Sequence, residues 1–239
     1  MTAPLHREPY PLAFSALILC AGRSSRMGAF KPLLPLGEET LIERAIRLFR
    51  GAGVADVTAV LGYQAEWVLP LLERHGVRPV LNDRYDEGMF SSLRVGVGSI
   101  NQGCRAFFLL PVDIPFVRPE TLLSLMDAFR EGENDVCRPC FRGRYGHPPL
   151  IATALIPAIG EFDGMGGLRT LLARYRGRTA DVAVEDPGIL LDVDTRDDYE
   201  GAQKALAEDR EHKPARTPVG DSDAKKAESG LPEALSRGR

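Results

Sequence analysis

The sequence predicts an α/β protein: a Rossmann-like, three-layer α/β/α fold around a mostly parallel sheet. Short apolar runs that are typical of buried strands alternate with segments whose apolar residues recur at helical spacing. Such alternation favours parallel strands with helices on both faces of the sheet. The chain has 239 residues, of which 44% are hydrophobic, and this is enough for one such domain with a proper core.

The alternation is clearest in the first half of the chain. Residues 14–20 form an apolar run, which is typical of a strand buried on both faces. A polar, glycine-containing loop follows to about Gly37, and residues 40–50 then form a helix that Gly51 ends. The further predicted strands are 56–61, 77–81 and 106–110, and the further predicted helices are 64–74 (kinked at Pro70), 90–100 and 119–130.

The regular alternation of predicted strands and helices ends after Glu131. Short strands are predicted around Val136 and Leu150, followed by a helix near 168–175 and a strand at 181–184. The run 189–194 is predicted as a last strand. A final helix covers 195–207, with Thr195 as its N-cap.

Composition divides the chain into three parts. Residues 1–13 are expected to be a flexible arm, because they carry several prolines and show no periodicity. Residues 14–207 form the predicted domain. Residues 208–239 are charged and nearly free of large apolar side chains, so we expect a disordered tail.

Charge and cysteine content exclude several classes of protein. A net charge of -3 disfavours nucleic acid as a partner, since nucleic-acid-binding domains are usually basic. No run is apolar for the length of a bilayer, and four cysteines fit a reducing compartment, so we expect a soluble, cytoplasmic protein without membrane partners. Cys137 and Cys140 have the spacing of a zinc half-site. The expectation is that they bind no metal, because no second pair supplies the remaining ligands.

The loop after the first strand is the strongest local signal. It contains Gly22 and Gly28 and three cations, Arg23, Arg26 and Lys31. Ligands of open α/β sheets bind at the carboxyl ends of strands, where free backbone amides and cations suit a triphosphate. Neither the Walker pattern nor the dinucleotide fingerprint is present. The alternative interpretation is an ordinary basic surface loop.

Aspartates follow two other predicted strands. Asp113 comes just after a buried strand, and Mg²⁺ typically takes one or two carboxylates together with water and substrate phosphates. Asp192 and Asp194 would share one face of a strand, so that one of them could complete a metal site. A turn next to proline is the alternative for Asp113, and helix capping is the alternative for the later pair.

Two further segments carry polar groups. Residues 82–92 bring an amide and two hydroxyls to a strand–helix junction, where they could bind a base or ribose or could simply cap the helix. His147 lies in a glycine–proline loop, and such a histidine, taken alone, is more often structural than catalytic.

Five segments together resemble the MobA-like nucleotidyltransferase family, and within it the molybdenum cofactor cytidylyltransferases. They are Ala-Gly-x-Ser-x-Arg-Met-Gly-x-x-Lys at 21–31, Asn-x-x-Tyr-x-x-Gly at 82–88 with Ser91 and Ser92, Asp113-Ile114-Pro115, Gly146-His147-Pro148, and Leu191-Asp192-Val193-Asp194-Thr195-x-x-Asp198. The resemblance covers about residues 14–207 and implies the nucleotide-diphospho-sugar transferase type of fold. The segment 163–169 only partly matches the family's loop.

The resemblance implies roles for particular residues. The implied catalytic residues are Arg26, Lys31 and Asp113, and the implied ligands of Mg²⁺ are Asp113 and Asp194. The implied nucleotide-binding residues are Ala21, Gly22, Lys31, Gly62, Asn82, Ser92 and Asp113. Gly146 and His147 would belong to a loop on the acceptor side.

The implied reaction is transfer of CMP from CTP to the terminal phosphate of molybdenum cofactor (molybdopterin), with release of pyrophosphate. CTP is expected rather than GTP, because the methyl of Ala21 occupies space that a glycine would leave to a purine. A molybdoenzyme or its maturation chaperone is the expected protein partner. The alternatives are another phosphorylated acceptor, such as a sugar phosphate, and guanylyl transfer to the same cofactor.

Overall fold

A central sheet separates two layers of helices in this protein. The structure is a computed structural model that describes residues 13–212. The predicted arm up to residue 12 and the predicted tail from residue 213 onward lie outside the described residues. Among the described helices, none combines the length and the apolar composition needed to cross a bilayer.

The sheet is mostly parallel, as predicted. Its strands are β1 (Ala13–Cys20), β4 (Asp56–Leu61), β5 (Arg78–Leu81), β6 (Cys104–Pro111), β7 (Val136–Phe141), β8 (Arg144–Tyr145), β9 (Leu150–Ala152) and β10 (Thr179–Ala183). Their order is β10-β7-β9-β6-β1-β4-β5, with β8 paired to β7. Only β8 and β9 pair antiparallel with their neighbours in this sheet. A separate hairpin of β2 (Pro35–Leu36) and β3 (Glu39–Thr40) was not predicted.

Seven α-helices cover the two faces of the sheet in the described part of the chain. They are α1 (Leu41–Gly51), α2 (Ala65–Arg74), α3 (Met89–Val97), α4 (Pro119–Glu131), α5 (Ile156–Glu161), α6 (Gly167–Leu172) and α7 (Arg196–His212). α1 begins with a reciprocal capping box between Thr40 and Glu43. α2 continues through Pro70, and α7 extends five residues beyond the predicted end at 207.

The core lies on both sides of β1. Ala16 and Ile18 pack into the cluster that includes residues of α1, α2 and α4, whereas Leu17 and Leu19 pack into the cluster with residues of α3 and α5. The predicted strand buried on both faces is therefore confirmed. Each such buried leucine or isoleucine side chain contributes about 1.5–3 kcal/mol to stability, which makes β1 a rigid support for the loop that follows it.

The predicted strand at 189–194 is wrong. The chain forms a short 3-10 helix, Pro187–Leu190, and then runs to α7 without joining a sheet. Asp186 caps this turn by accepting a hydrogen bond from the amide of Gly188 at 2.9 Å. A β-carbon at Gly188 would lie 2.1 Å from the carbonyl oxygen of Phe116, so the bend depends on a glycine at that position.

The carboxyl ends of β1, β4, β5 and β6 lie along one edge of the sheet, because these strands are parallel neighbours. The loops that follow them are 21–30, 62–64, 82–88 and 112–118. Ligands of open α/β sheets bind at this edge.

Candidate active site

The loop after β1 is fixed by local hydrogen bonds and one buried side chain. Ser24 adopts a left-handed conformation, and its hydroxyl accepts a hydrogen bond from the amide of Lys31 at 3.2 Å. The amide of Met27 donates to the carbonyl of Ser24, while the Met27 side chain packs into the core. The loop is therefore anchored at its middle and curves around the end of the strand.

Neither the backbone conformation nor the packing of the protein requires a glycine at position 22. Its φ lies outside the left-handed region, and an added β-carbon would meet nothing within 4 Å. The residue lines the pocket at the sheet edge. A bare backbone that faces open space there allows close approach by a ligand.

The chemical centre is a cluster of two cations and two carboxylates. Lys31 is only 8% exposed, and its ammonium lies 3.0 Å from Oδ2 of Asp113 and 2.6 Å from Oδ1 of Asp194. Arg26 contacts the other oxygen of Asp194 at 2.8 Å, and its own side chain is 72% exposed. The structure thus brings together four residues that the sequence had singled out on three separate segments.

Asp194 reaches this cluster from a segment that is not a strand. The amide of Val193 donates to the carbonyl of Asp113 at 2.8 Å, and the Val193 side chain is buried. The carboxylate of Asp198 accepts hydrogen bonds from the amides of Asp194 and Thr195, at 3.2 and 2.7 Å. One backbone bond and the cap of α7 therefore set the position of Asp194.

The two aspartates of this segment have different surroundings. The hydrogen bond from Lys31, together with the charges of Lys31 and Arg26, lowers the pKa of Asp194 below its ordinary value of 3.8. Asp192 is exposed and is absent from the pocket lining. The expectation that the pair shares one face of a strand fails, because the segment is neither extended in a sheet nor paired.

Some of the residues expected around the nucleotide line the pocket, and others hold its loops in place. Ser92 lines the pocket, whereas Asn82 is buried and donates to the hydroxyls of Ser91 and Ser92 at 2.9 and 3.0 Å. A β-carbon at Gly62 would lie 2.8 Å from the carbonyl oxygen of Ala21. Gly62 and Asn82 therefore let the loops approach each other, and neither is among the residues that line the pocket.

Arg23 has a different role from the other two cations of the loop. Its guanidinium forms a bidentate pair with Asp86, at 2.8 and 2.9 Å, and lies 5.4 Å from the ring centroids of both Tyr63 and Tyr85. The hydrogen bonds that Arg23 donates to the carboxylate of Asp86 raise the pKa of Arg23 above its ordinary value. Arg23 thus joins the loop after β1 to the loop after β5, a contact that sequence reasoning missed.

The pocket at this edge has a volume of about 260 Å³. Its polar lining is supplied by Ser24, Ser25, Arg26, Lys31, Ser92, Asp113 and Asp194. Ser25 and Tyr85 were not singled out from the sequence, although Ser25 lies in the predicted loop and Tyr85 in the 82–88 motif.

Gly146 and His147 line a second and larger cavity, of about 790 Å³, beside the first. Burial lowers the pKa of His147 below its ordinary value, against the opposing charges of Asp113 and Asp192. A β-carbon at Gly146 would lie 2.2 Å from the carbonyl oxygen of Ile189, so glycine is required for packing there. The loop 146–147 therefore faces a different cavity from the one lined by Arg26, Lys31, Asp113 and Asp194.

The cluster of Asp113 and Asp194 suits a hard divalent cation. Both carboxylates converge on one ammonium, which shows that their oxygens can be directed at a single positive centre. Carboxylate oxygens are the protein ligands that Mg²⁺ and Mn²⁺ prefer, with water and phosphate oxygens completing the shell.

A mostly parallel sheet with helices on both faces is the fold that this chain shares with nucleotidyltransferases. The chain belongs to the MobA-like NTP transferase domain family, whose sequence model matches residues 16–180. The resemblance found in the sequence motifs is thereby confirmed, and so is the fold class.

Three known proteins illustrate the similarity. The molybdenum cofactor cytidylyltransferase of Escherichia coli (strain K12) is 25% identical over 201 residues, which cover 82% of this chain and 98% of that protein. A probable molybdenum cofactor guanylyltransferase of Opitutus terrae is 28% identical over 152 residues, covering 63% of this chain and 71% of that protein.

The third is Rv0371c of Mycobacterium tuberculosis H37Rv, for which structures have been solved. One is 27% identical with a TM-score of 0.73, covering 82% of this chain and 99% of that chain. Another, a complex with manganese, is 26% identical with a TM-score of 0.69 and covers 81% of this chain and 99% of that chain.

Proposed function

We propose that this enzyme transfers CMP from CTP to the terminal phosphate of molybdenum cofactor and releases pyrophosphate. The observation that carries the proposal is the convergence of Lys31, Asp113 and Asp194 beside the open backbone of Gly22. The similarity to a molybdenum cofactor cytidylyltransferase over 98% of that protein's length supports the choice of acceptor.

The transfer exchanges one phosphorus–oxygen bond for another. An oxygen of the acceptor phosphate attacks the α-phosphorus of the nucleotide, and the bond from the α-phosphorus to the bridging oxygen of the β-phosphate breaks. The electron pair leaves with pyrophosphate. A phosphate monoester is largely dianionic near pH 7, since its second pKa is about 6, so no side chain has to remove a proton from the nucleophile.

The protein aligns the two phosphates and neutralises the charge that develops between them. The exposed guanidinium of Arg26 and the ammonium of Lys31 border the pocket from the loop after β1. Asp113 and Asp194 would hold Mg²⁺, which supplies Lewis-acid stabilisation of the phosphate oxygens when it is bound. Because Lys31 contacts both carboxylates, the cation and the metal ligands are oriented together.

A pyrimidine nucleotide is favoured by the β1 loop. Ala21 is 5% exposed, and its carbonyl accepts a hydrogen bond from the amide of Tyr63 at 3.1 Å. A methyl group at this position leaves less room for a base than a glycine would, and the proposal is that this disfavours a two-ring base more than a one-ring base. Delivery of the product to a molybdoenzyme or its chaperone forms part of the proposal.

The test is a panel of CTP, UTP, GTP and ATP with three acceptors: molybdenum cofactor, a sugar phosphate and choline phosphate. Pyrophosphate release is measured as kcat/KM for each pair, with Mg²⁺ present. The proposal expects the highest value for CTP with molybdenum cofactor. A preference for GTP would contradict the argument from Ala21, and transfer only to another phosphate would contradict the acceptor.

A further inference from the structure

The cavity of about 790 Å³ beside the catalytic cluster is strongly basic. Arg138, Arg144, Arg169 and Arg176 line it, and no aspartate or glutamate of residues 13–212 does so. Its volume lies within the range of about 300–1,000 Å³ that is typical of small-molecule sites. A cavity of this size can therefore receive an organic group and not only an isolated ion.

One of the four arginines is already neutralised. The guanidinium of Arg138 contacts Asp181 at 2.5 Å and lies 3.7 Å from the ring centroid of Tyr145, whose hydroxyl donates to the same carboxylate at 3.0 Å. Asp181 thus orients a flat guanidinium against a flat ring at the cavity wall. Stacking of this kind provides a planar surface with little freedom to rearrange.

The other three arginines have no such partner. Within the described residues, the side chains of Arg144, Arg169 and Arg176 form no ion pair, hydrogen bond or ring contact with the protein. They come from β8, from α6 and from the 3-10 helix Ala173–Arg178. Three unneutralised guanidinium groups from separate elements around one cavity favour an anionic ligand, since guanidinium geometry matches carboxylate and phosphate oxygens.

The segment 189–193 joins the wall of the cavity to Asp113. The amide of His147, which lines the cavity, donates to the carbonyl of Ile189 at 3.0 Å, and the amide of Val193 donates to the carbonyl of Asp113 at 2.8 Å. A molecule with its phosphate at Asp113 and Lys31 could therefore extend past His147 into the basic cavity.

We propose that the cavity binds the part of the acceptor remote from the reacting phosphate, and that this part is itself anionic. This inference rests on the proposed nucleotidyl transfer and defines the substrate class more narrowly. The acceptor is a phosphate monoester with a second anionic group, held by Arg144, Arg169 and Arg176. Acceptors whose remote part is neutral or cationic are disfavoured.

The test is a binding measurement that needs no turnover. The full chain is saturated with Mg²⁺ and α,β-methylene-CTP, and fructose 6-phosphate and fructose 1,6-bisphosphate are compared by calorimetry because they share a skeleton and differ by one phosphate. We expect the bisphosphate to bind at least tenfold more tightly. The triple variant Arg144→Ala/Arg169→Ala/Arg176→Ala should lose this preference while its Kd for the CTP analogue stays within twofold of the wild-type value.

Arg105→Ala is the matched control, because Arg105 is exposed and lies near the opposite, amino-terminal end of β6. It should keep the full preference for the bisphosphate. Equal binding of the two sugars by the wild type, or a preference that survives in the triple variant, would overturn the inference.

The outcomes separate this inference from the proposed function. A bisphosphate preference in a protein that transfers CMP to no acceptor would refute the function and leave the cavity assignment standing. Transfer to molybdenum cofactor with the same acceptor KM in the wild type and the triple variant would refute the cavity assignment alone.

Discussion

Replacement of Asp194 by asparagine removes one charge from the catalytic cluster at nearly constant volume. One oxygen of Asp194 lies 2.6 Å from the ammonium of Lys31, and the other lies 2.8 Å from Arg26. An amide can accept a hydrogen bond from only one of these cations and presents its NH₂ group to the other. Lys31 still retains Asp113 at 3.0 Å, so its buried ammonium is not left unpaired.

The effect on turnover should be much larger than the effect on stability. If Asp113 and Asp194 hold the metal as proposed, loss of one carboxylate should lower kcat by about 10²–10³-fold, equivalent to about 2.7–4 kcal/mol of barrier. The ion pair is neither fully exposed nor isolated in the core, so its loss should reduce the free energy of unfolding by about 1–2 kcal/mol at neutral pH.

The stability difference should depend on pH with a defined sign. Because the folded-state pKa of Asp194 is lowered, its stabilising contribution is present above the unfolded-state pKa of about 3.9 and is lost as the pH falls through the folded-state value. Wild type and Asp194→Asn should therefore differ in free energy of unfolding at pH 7. They should converge below about pH 4.

The assay is steady-state pyrophosphate release at saturating Mg²⁺, combined with urea unfolding at several pH values. Asp192→Asn is the matched control, because Asp192 is an exposed carboxylate two residues away that does not line the pocket. It should keep kcat within about threefold of the wild-type value, less than the loss of a single key stabiliser. Near wild-type turnover in Asp194→Asn would refute the assignment of this carboxylate.

Three further predictions concern the loops and the cysteines. Arg23→Ala should raise the KM for CTP several-fold, because the loop after β1 loses its contact with Asp86. Adding Asp86→Ala to this variant should raise the KM little further, and additive effects of the two substitutions would disprove coupling between the two side chains. Gly22→Ala should leave the melting temperature unchanged but weaken nucleotide binding in calorimetry, and unchanged binding would show that no ligand lies on this backbone. The Cys137→Ser/Cys140→Ser variant should stay active. Elemental analysis should find no stoichiometric zinc in the wild type, because Cys137 and Cys140 are residues i and i+3 of one strand and their side chains project to opposite faces.

The sequence was sufficient to predict the sheet and the position of the first loop. Residues 14–20 are apolar except for Ser15, and a run of that kind is typical of a strand covered on both faces, which is how β1 is buried. Asp113 could be located because it directly follows such a strand. In both cases the signal is local: a continuous apolar run that ends at a polar residue.

Contacts between distant segments could not be predicted in this way. The strand expected at 189–194 failed because apolar composition alone does not reveal whether a neighbouring strand is free to pair. The position of Asp194 depends on the backbone hydrogen bond from Val193 to Asp113 and on the cap of α7. Arg23 and Asp86 are 63 residues apart, so no local pattern distinguishes Arg23 from Arg26.

The basic cavity was missed for the same physical reason. Each of its arginines is visible in the sequence, but they lie on β7, β8, α6 and a 3-10 helix. Their convergence depends on how these elements pack, and no short-range pattern records that packing.

The fate of the nucleotide's phosphates distinguishes nucleotidyl transfer from other reactions of CTP. CTP labelled with ³²P at the α-phosphate or at the γ-phosphate is incubated with molybdenum cofactor, Mg²⁺ and the enzyme, and the products are separated. We expect the α-label in the acceptor product and the γ-label in pyrophosphate, in equal amounts. Appearance of the γ-label in the acceptor, or its release as orthophosphate, would contradict nucleotidyl transfer.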